Sequence, residues 1–173
     1  MRASILQNFG YHHGMLDPAI RLLRYWMDQE LTGILICKAI AEGSSDPALS
    51  ARWSKMAAME RKMLDEICCA LGCPVQQEPF QPEPSTENYV RASKIAADFL
   101  NQGEKLGSAR MADDVSAILD ALRGEAGLSP GGYSHVIERL ISHEEAWLHF
   151  LQMEALGNTA TSLSKAMIFL GDP

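Results

Sequence analysis

Apolar residues recur at alternating steps of three and four along four long stretches of the chain, the period of helices that bury one stripe. The first stripe is Ile20, Leu23, Met27, Glu30, Ile34, Cys37 and Ala41. It predicts a helix from Asp17 to about Gly43. The second is Leu49, Trp53, Met56, Glu60, Met63, Ile67 and Ala70, predicting a helix from Asp46 to about Leu71. Asp17-Pro18 and Asp46-Pro47 each place a capping side chain before a proline at the first helical position, and Gly43 and Gly72 are the corresponding stops. A third stripe, Ala97, Leu100, Glu104, Gly107, Met111, Val115, Ile118 and Leu122, predicts one helix over about residues 86–123. Gly103 and Gly107 weaken it by about 1 kcal/mol each relative to alanine, marking a kink or a close approach by another helix. After a turn over Gly124 to Gly132, a fourth helix runs to about Gly157 with Ile137, Leu140, Glu144, Trp147 and Leu151 inward. Leu163, Ala166, Met167 and Leu170 then form a short amphipathic carboxy-terminal helix. No strand-period segment competes, so the fold class is all-α.

The connection between the first two helices is short, which sets them antiparallel. Between helices 2 and 3, Gly72 to Pro84 holds Pro74, Pro79, Pro82 and Pro84. Extended polyproline-like backbone at about 3.1 Å per residue lets this segment reach roughly 40 Å. That is the height of a helix of about 27 residues at 1.5 Å per residue. The expectation is a single domain over residues 1–173, a four-helix bundle with its core at about 17–157 and one long crossover between helices 2 and 3. Among helical bundles, one long crossover is the topology of ferritin-like folds.

Glutamate interrupts each of the four stripes near its helix midpoint: Glu30, Glu60, Glu104 and Glu144. An unpaired carboxylate in a core costs several kcal/mol, so four at one level need a common cause. Like charges and burial both raise carboxyl pKa values, and two divalent cations would balance four negative charges. Oxygen-rich sites of this kind suit iron or manganese. His143 lies beside Glu144 and on a line with Val136, Leu140, Trp147 and Phe150, from which it can turn inward as a further ligand. Glu145 competes with Glu144 for the inward position. The alternative is a layer of protonated or ion-paired acids without metal, with Lys38, Lys55 and Arg110 as candidate partners. His149 is assigned to a polar face, one turn from Glu145; His12, His13 and His135 carry no clear signal.

These residues resemble the ferritin-like superfamily, of the rubrerythrin and di-iron carboxylate type. The resemblance spans about residues 17 to 157. That family carries one glutamate on each of two helices and a Glu-x-x-His pair on each of the other two. Glu30 is similar to the lone glutamate of the first helix and Glu104 to that of the third. Met56-Ala57-Ala58-Met59-Glu60-Arg61-Lys62-Met63 resembles the second-helix motif with Met63 in the histidine place. His143-Glu144-Glu145-Ala146-Trp147 resembles the fourth with Trp147 there. The resemblance implies Glu30, Glu60, Glu104, Glu144 and His143 as the metal set. It implies one of two functions: a bundle protein with a degenerate or absent di-metal site, or a non-haem di-iron or manganese oxidoreductase acting on a small molecule.

Composition narrows the classes. With 15 basic and 22 acidic residues the formal charge is −7, which argues against capture of nucleic acid or anionic lipid. No apolar run reaches the ~18 residues of a membrane span, and Met1 to Gly14 lacks the apolar core of a signal peptide, so a cytoplasmic protein is expected. The four cysteines, Cys37, Cys68, Cys69 and Cys73, lack zinc spacing and are read as small buried hydrophobes. No phosphate loop or nucleophilic triad is legible. Tyr25, Trp26, Ile36 and Ile40 give helix 1 a second apolar face, which wants the terminal helix or a second copy in a homodimer.

Overall fold

A computed structural model describes residues 18–72, 87–126 and 132–171, and within them the chain forms six helices and no strand. Helix α1 is Pro18–Gly43 and α2 is Pro47–Ala70. Between them Asp46 caps α2, its side chain accepting from Ala48 N at 2.9 Å, with Pro47 in the first turn. Both stripes are buried much as their spacing predicts, including Leu23, Ile34 and Cys37 on α1 and Trp53, Met56, Met63 and Ile67 on α2. Met27 on α1 lies against Cys68 on α2, while Gly33 lies against Glu60. Rising numbers on one helix meet falling numbers on the other, so the pair is antiparallel.

The predicted third helix is in fact two, α3 (Glu87–Gln102) and α4 (Glu104–Ala126). The break is Gly103, whose φ of +81° is a conformation that costs side-chain-bearing residues energy and glycine almost none. Four residues on, a Cβ at Gly107 would stand 2.5 Å from the Phe99 ring, so the two helices fold back tightly on one another. Helix α3 runs parallel to α1: Arg91 bonds Gln29 and Thr32, and Leu100 packs on Gly43. It therefore lies on the second apolar face of α1, where Trp26, Ile36 and Ile40 are buried. Helix α3 thus covers part of that face from within the chain.

Helix α5 (Ser134–Leu156) is antiparallel to α2, since Glu66 meets Arg139, Glu60 meets Trp147 and Arg52 meets Glu154. It is antiparallel to α4 as well, with Arg123 against Glu145 at one end and Lys105 against Gly157 at the other. The last helix, α6 (Ser164–Leu170), buries Ala166 and Phe169. Arg139 stacks on the Phe169 ring at 4.0 Å and Lys62 donates to the carbonyls of Phe169 and Leu170 at 3.1 and 3.0 Å. Lysine at a helix carboxy terminus satisfies acceptors that the helix cannot. The Pro-rich segment at 73–86, together with Asp17, His12, His13 and Cys73, lies outside the described residues.

Candidate metal centre

Three helices bring acids to one level. Glu30 of α1, Glu60 of α2 and Glu144 of α5 are 1%, 4% and 7% exposed, and His143 beside Glu144 is 1% exposed. The bundle interior thus holds three carboxyls and an imidazole with almost no access to water. His143 Nε2 lies 3.4 Å from Glu30 Oε2 and 3.7 Å from Glu60 Oε1, and Nδ1 lies 3.5 Å from Glu144 Oε1. Neither imidazole nitrogen makes a hydrogen bond among the described residues, and Glu30 Oε2 is likewise unpartnered. Phe169 of α6 covers the imidazole edge-on, ring centroids 5.5 Å apart.

Two neighbours set the pose of Glu60. Trp147, one turn beyond His143, donates its indole N–H to Glu60 Oε1. On the other side a Cβ at Gly33 would fall 2.5 Å from the Glu60 carboxyl carbon. A glycine inside α1 costs about 1 kcal/mol relative to alanine, and here it makes room for a carboxyl.

Electrostatics follow from burial. Desolvation pushes the Glu30 carboxyl well above the usual range; His143 opposes this, and Glu60 and Glu144 add to it. Burial likewise lifts Glu60 well above that range, with Glu30 countering and Glu144 adding. For His143, burial disfavours the imidazolium, but Glu30 and Glu144 outweigh it and the balance lies above the ordinary histidine value. Burial pushes the nearby Cys37 thiol well up, with Glu60 adding. Ligand atoms of Glu30, His143 and Glu144 all lie within 4.8 Å of one another, a cluster able to hold a metal ion. Donors about 2.0–2.2 Å from a tetrahedral ion sit roughly 3.3–3.6 Å apart. On the Nε2 side of His143, Glu30 at 3.4 Å falls in that interval and Glu60 at 3.7 Å just beyond it, while Glu144 stands on the Nδ1 side.

Glu104 does not belong to this layer. It opens α4, immediately after the Gly103 break, and pairs with Arg52. Arg52 Nε also lies 2.9 Å from Glu154 Oε1, at ion-pair distance without hydrogen-bond alignment. Glu154 stands ten residues beyond Glu144 on α5, about 15 Å along the axis at 1.5 Å per residue. The expected fourth carboxylate is thus an ion-paired residue near the far end of the bundle, because the helix on which its midpoint was reckoned is broken at Gly103. On the side where it was expected, α4 presents Met111, Val115 and Ile118 to a cavity of about 460 Å³ that also touches Glu30, Glu60, Glu144 and Trp147.

Glu144, not Glu145, faces the core; Glu145 pairs with Arg123 near the surface. His149 lies 3.0 Å from Ser164 Oγ and 3.3 Å from the Thr161 carbonyl rather than bonding Glu145. Cys69 is exposed, unlike Cys37 and Cys68, and so is not a core residue. The sequence reading missed Arg52 and Glu154. Glu154 had a signal, since Trp147, Leu151 and Glu154 continue the fourth stripe in steps of four and three. No protein-family model, curated protein or solved structure shows a significant match to this chain. No described helix is long and apolar enough to cross a membrane.

Proposed function

We propose that the protein is a metal-binding helical bundle of ferritin-like type, in which Glu30, Glu60, Glu144 and His143 hold a divalent first-row cation, iron or manganese. The observation that carries this reading is His143: a fully buried imidazole with both nitrogens unbonded, ringed by three carboxyl groups at 3.4–3.7 Å. Left empty, such a site forces acids to stay protonated or to repel; a cation offsets both terms. Three oxygen donors and one nitrogen match the donor preference of these ions. Helix directions support the ferritin-like assignment. Helices α1 and α2 form one antiparallel hairpin, α4 and α5 another, and α3 climbs beside α1 before the second hairpin begins. The missing α4 carboxylate makes the site lopsided, with an apolar cavity on that flank. A bound ion would supply Lewis-acid or redox chemistry there, which favours a non-haem oxidoreductase acting on a small molecule. Within that reading Glu60 is oriented by Trp147, and Phe169 shields the imidazole from water.

A second reading, a degenerate scaffold, has its own support. Trp147 occupies a position where the resembled family has a ligand, and it satisfies Glu60 without metal. One experiment separates the two. Protein stripped with chelator is titrated with Mn(II), or with Fe(II) under anaerobic conditions, and bound metal is counted. About one ion per chain, lost in Glu30→Ala, is the expected result. No uptake by the folded wild-type chain would establish the scaffold reading instead.

A further inference from the structure

The flank without a carboxylate ligand is itself a built cavity. Its volume, about 460 Å³, lies within the roughly 300–1,000 Å³ of small-molecule sites. Its walls are Trp26, Ile36, Ile95, Met111, Val115 and Ile118, drawn from α1, α3 and α4. Its inner end is the acid layer, Glu30, Glu60 and Glu144. Arg91, exposed on α3, borders the same cavity and is the one Lys or Arg among its described lining residues.

Arg91 is held in a defined pose. Its Nη2 bonds Gln29 Oε1 at 3.0 Å and the hydroxyl of Thr32 at 2.9 Å, and Thr32 in turn bonds the Asp28 carbonyl at 2.9 Å. No acceptor among the described residues takes Nε–H or Nη1–H, and no described acid pairs with this guanidinium. A guanidinium offers five donors in a planar fork suited to a carboxylate. The cavity wall also offers a buried donor, Trp26 Nε1, that meets no acceptor among the described residues. The polarity of the cavity is thus graded, with three acids inside, apolar walls between, and the pre-oriented Arg91 at the exposed end, where Asp114 also lines the rim.

We infer that this cavity binds an amphipathic monocarboxylate, its apolar body along Ile36, Ile95, Val115 and Met111 and its carboxylate on Arg91. The reverse orientation would press the carboxylate against Glu30, Glu60 and Glu144. Seated this way, the apolar end of the ligand faces the acid layer. That such a ligand is a substrate rests on the metal reading above; that it binds does not.

The test uses octanoate, 1-octanol and octylamine as matched probes on full-length, chelator-treated protein, read by calorimetry and by the fluorescence of Trp26 and Trp147. Octanoate is expected to bind tightest. Arg91→Gln should lower its affinity about ten- to a hundredfold, the equivalent of one charge-assisted pair, and leave 1-octanol within about twofold. Val115→Trp, which fills the cavity while leaving Arg91 in place, should weaken both probes, and unchanged binding there would overturn the assignment. So would tighter binding of octylamine, which would point instead to Asp114 on the cavity rim. Absence of binding by all three probes, or an Arg91→Gln protein that keeps its preference for the acid, would also overturn it. Because metal is absent throughout, none of these outcomes depends on the metal reading, and a failed metal titration leaves them unchanged.

Discussion

Two acid clusters lie in this bundle, about three helical turns apart, and they are neutralised differently. At the far end, Arg52 reaches between Glu104 and Glu154, so a permanent cation from α2 ties the start of α4 to the end of α5. In the middle, Glu30, Glu60 and Glu144 have no lysine or arginine within ion-pair distance among the described residues; their only basic neighbour there is His143. The first is what a core does when acids serve stability: it supplies a guanidinium. The second crowds three buried carboxyl groups around one imidazole whose nitrogens are not aligned for a hydrogen bond, an arrangement that folding alone does not favour. The contrast therefore separates a structural cluster from a candidate site using one criterion, the presence of a fixed cation.

Breaking the structural cluster should have the largest effect. Arg52→Ala strands Glu154 in the interior and should destabilise the protein by about 3–5 kcal/mol, the usual cost of removing one partner of a buried pair, measured by urea denaturation at pH 8. Metal affinity of the surviving folded fraction should stay within about twofold, since the clusters share no residue. If metal uptake falls in step with stability, the two clusters are not independent and the criterion fails.

Glu30→Ala should do the opposite. Its loss of Mn(II) affinity should be on the order of a hundredfold, at or beyond the upper range reported for residues that only orient ligands. Stability of the metal-free protein should hold or rise, because one buried acid has been removed. A metal-free protein that unfolds instead would show that Glu30 is structural.

The pH response sharpens the comparison. Burial first, and then Glu104, raise the Glu154 carboxyl to about 7, with Arg52 opposing. A carboxyl whose folded pKa exceeds its unfolded value keeps its proton in the native state after the unfolded chain has released it. Stability from this group therefore falls as pH rises from about 4.5 to about 7. Glu30, Glu60 and His143 are displaced in the same direction in the metal-free protein. Metal-free protein should accordingly melt at a higher temperature at pH 5 than at pH 8. Glu154→Gln should flatten part of that slope, and a slope unchanged by this substitution would place its origin in the central layer alone.

The smallest effect is expected at Gly33. Alanine there favours the helix by about 1 kcal/mol but displaces the Glu60 carboxyl. Stability should change by less than about 1 kcal/mol, while Mn(II) affinity drops severalfold, as it does when the orientation of a ligand is disturbed. An unchanged affinity would remove Glu60 from the ligand set.

Much of this was written in the order of residues. Three-and-four spacing made the helices legible, and Asp46-Pro47 and Gly72 marked ends the structure keeps. A glutamate inside a stripe is forced inward wherever its helix is continuous, which is why Glu30, Glu60 and Glu144 meet as expected. Glu104 failed that inference because Gly103 ends one helix and begins another. A glycine in a stripe reads equally as a weak spot or a break until neighbouring helices decide. The pairing of Arg52 with two acids, the donation from Trp147 to Glu60 and the choice of Glu144 over Glu145 depend on which helices adjoin and at what height. Those are contacts between residues tens of positions apart. Periodicity along one segment determines which face is buried, and only the packed structure decides what that face meets.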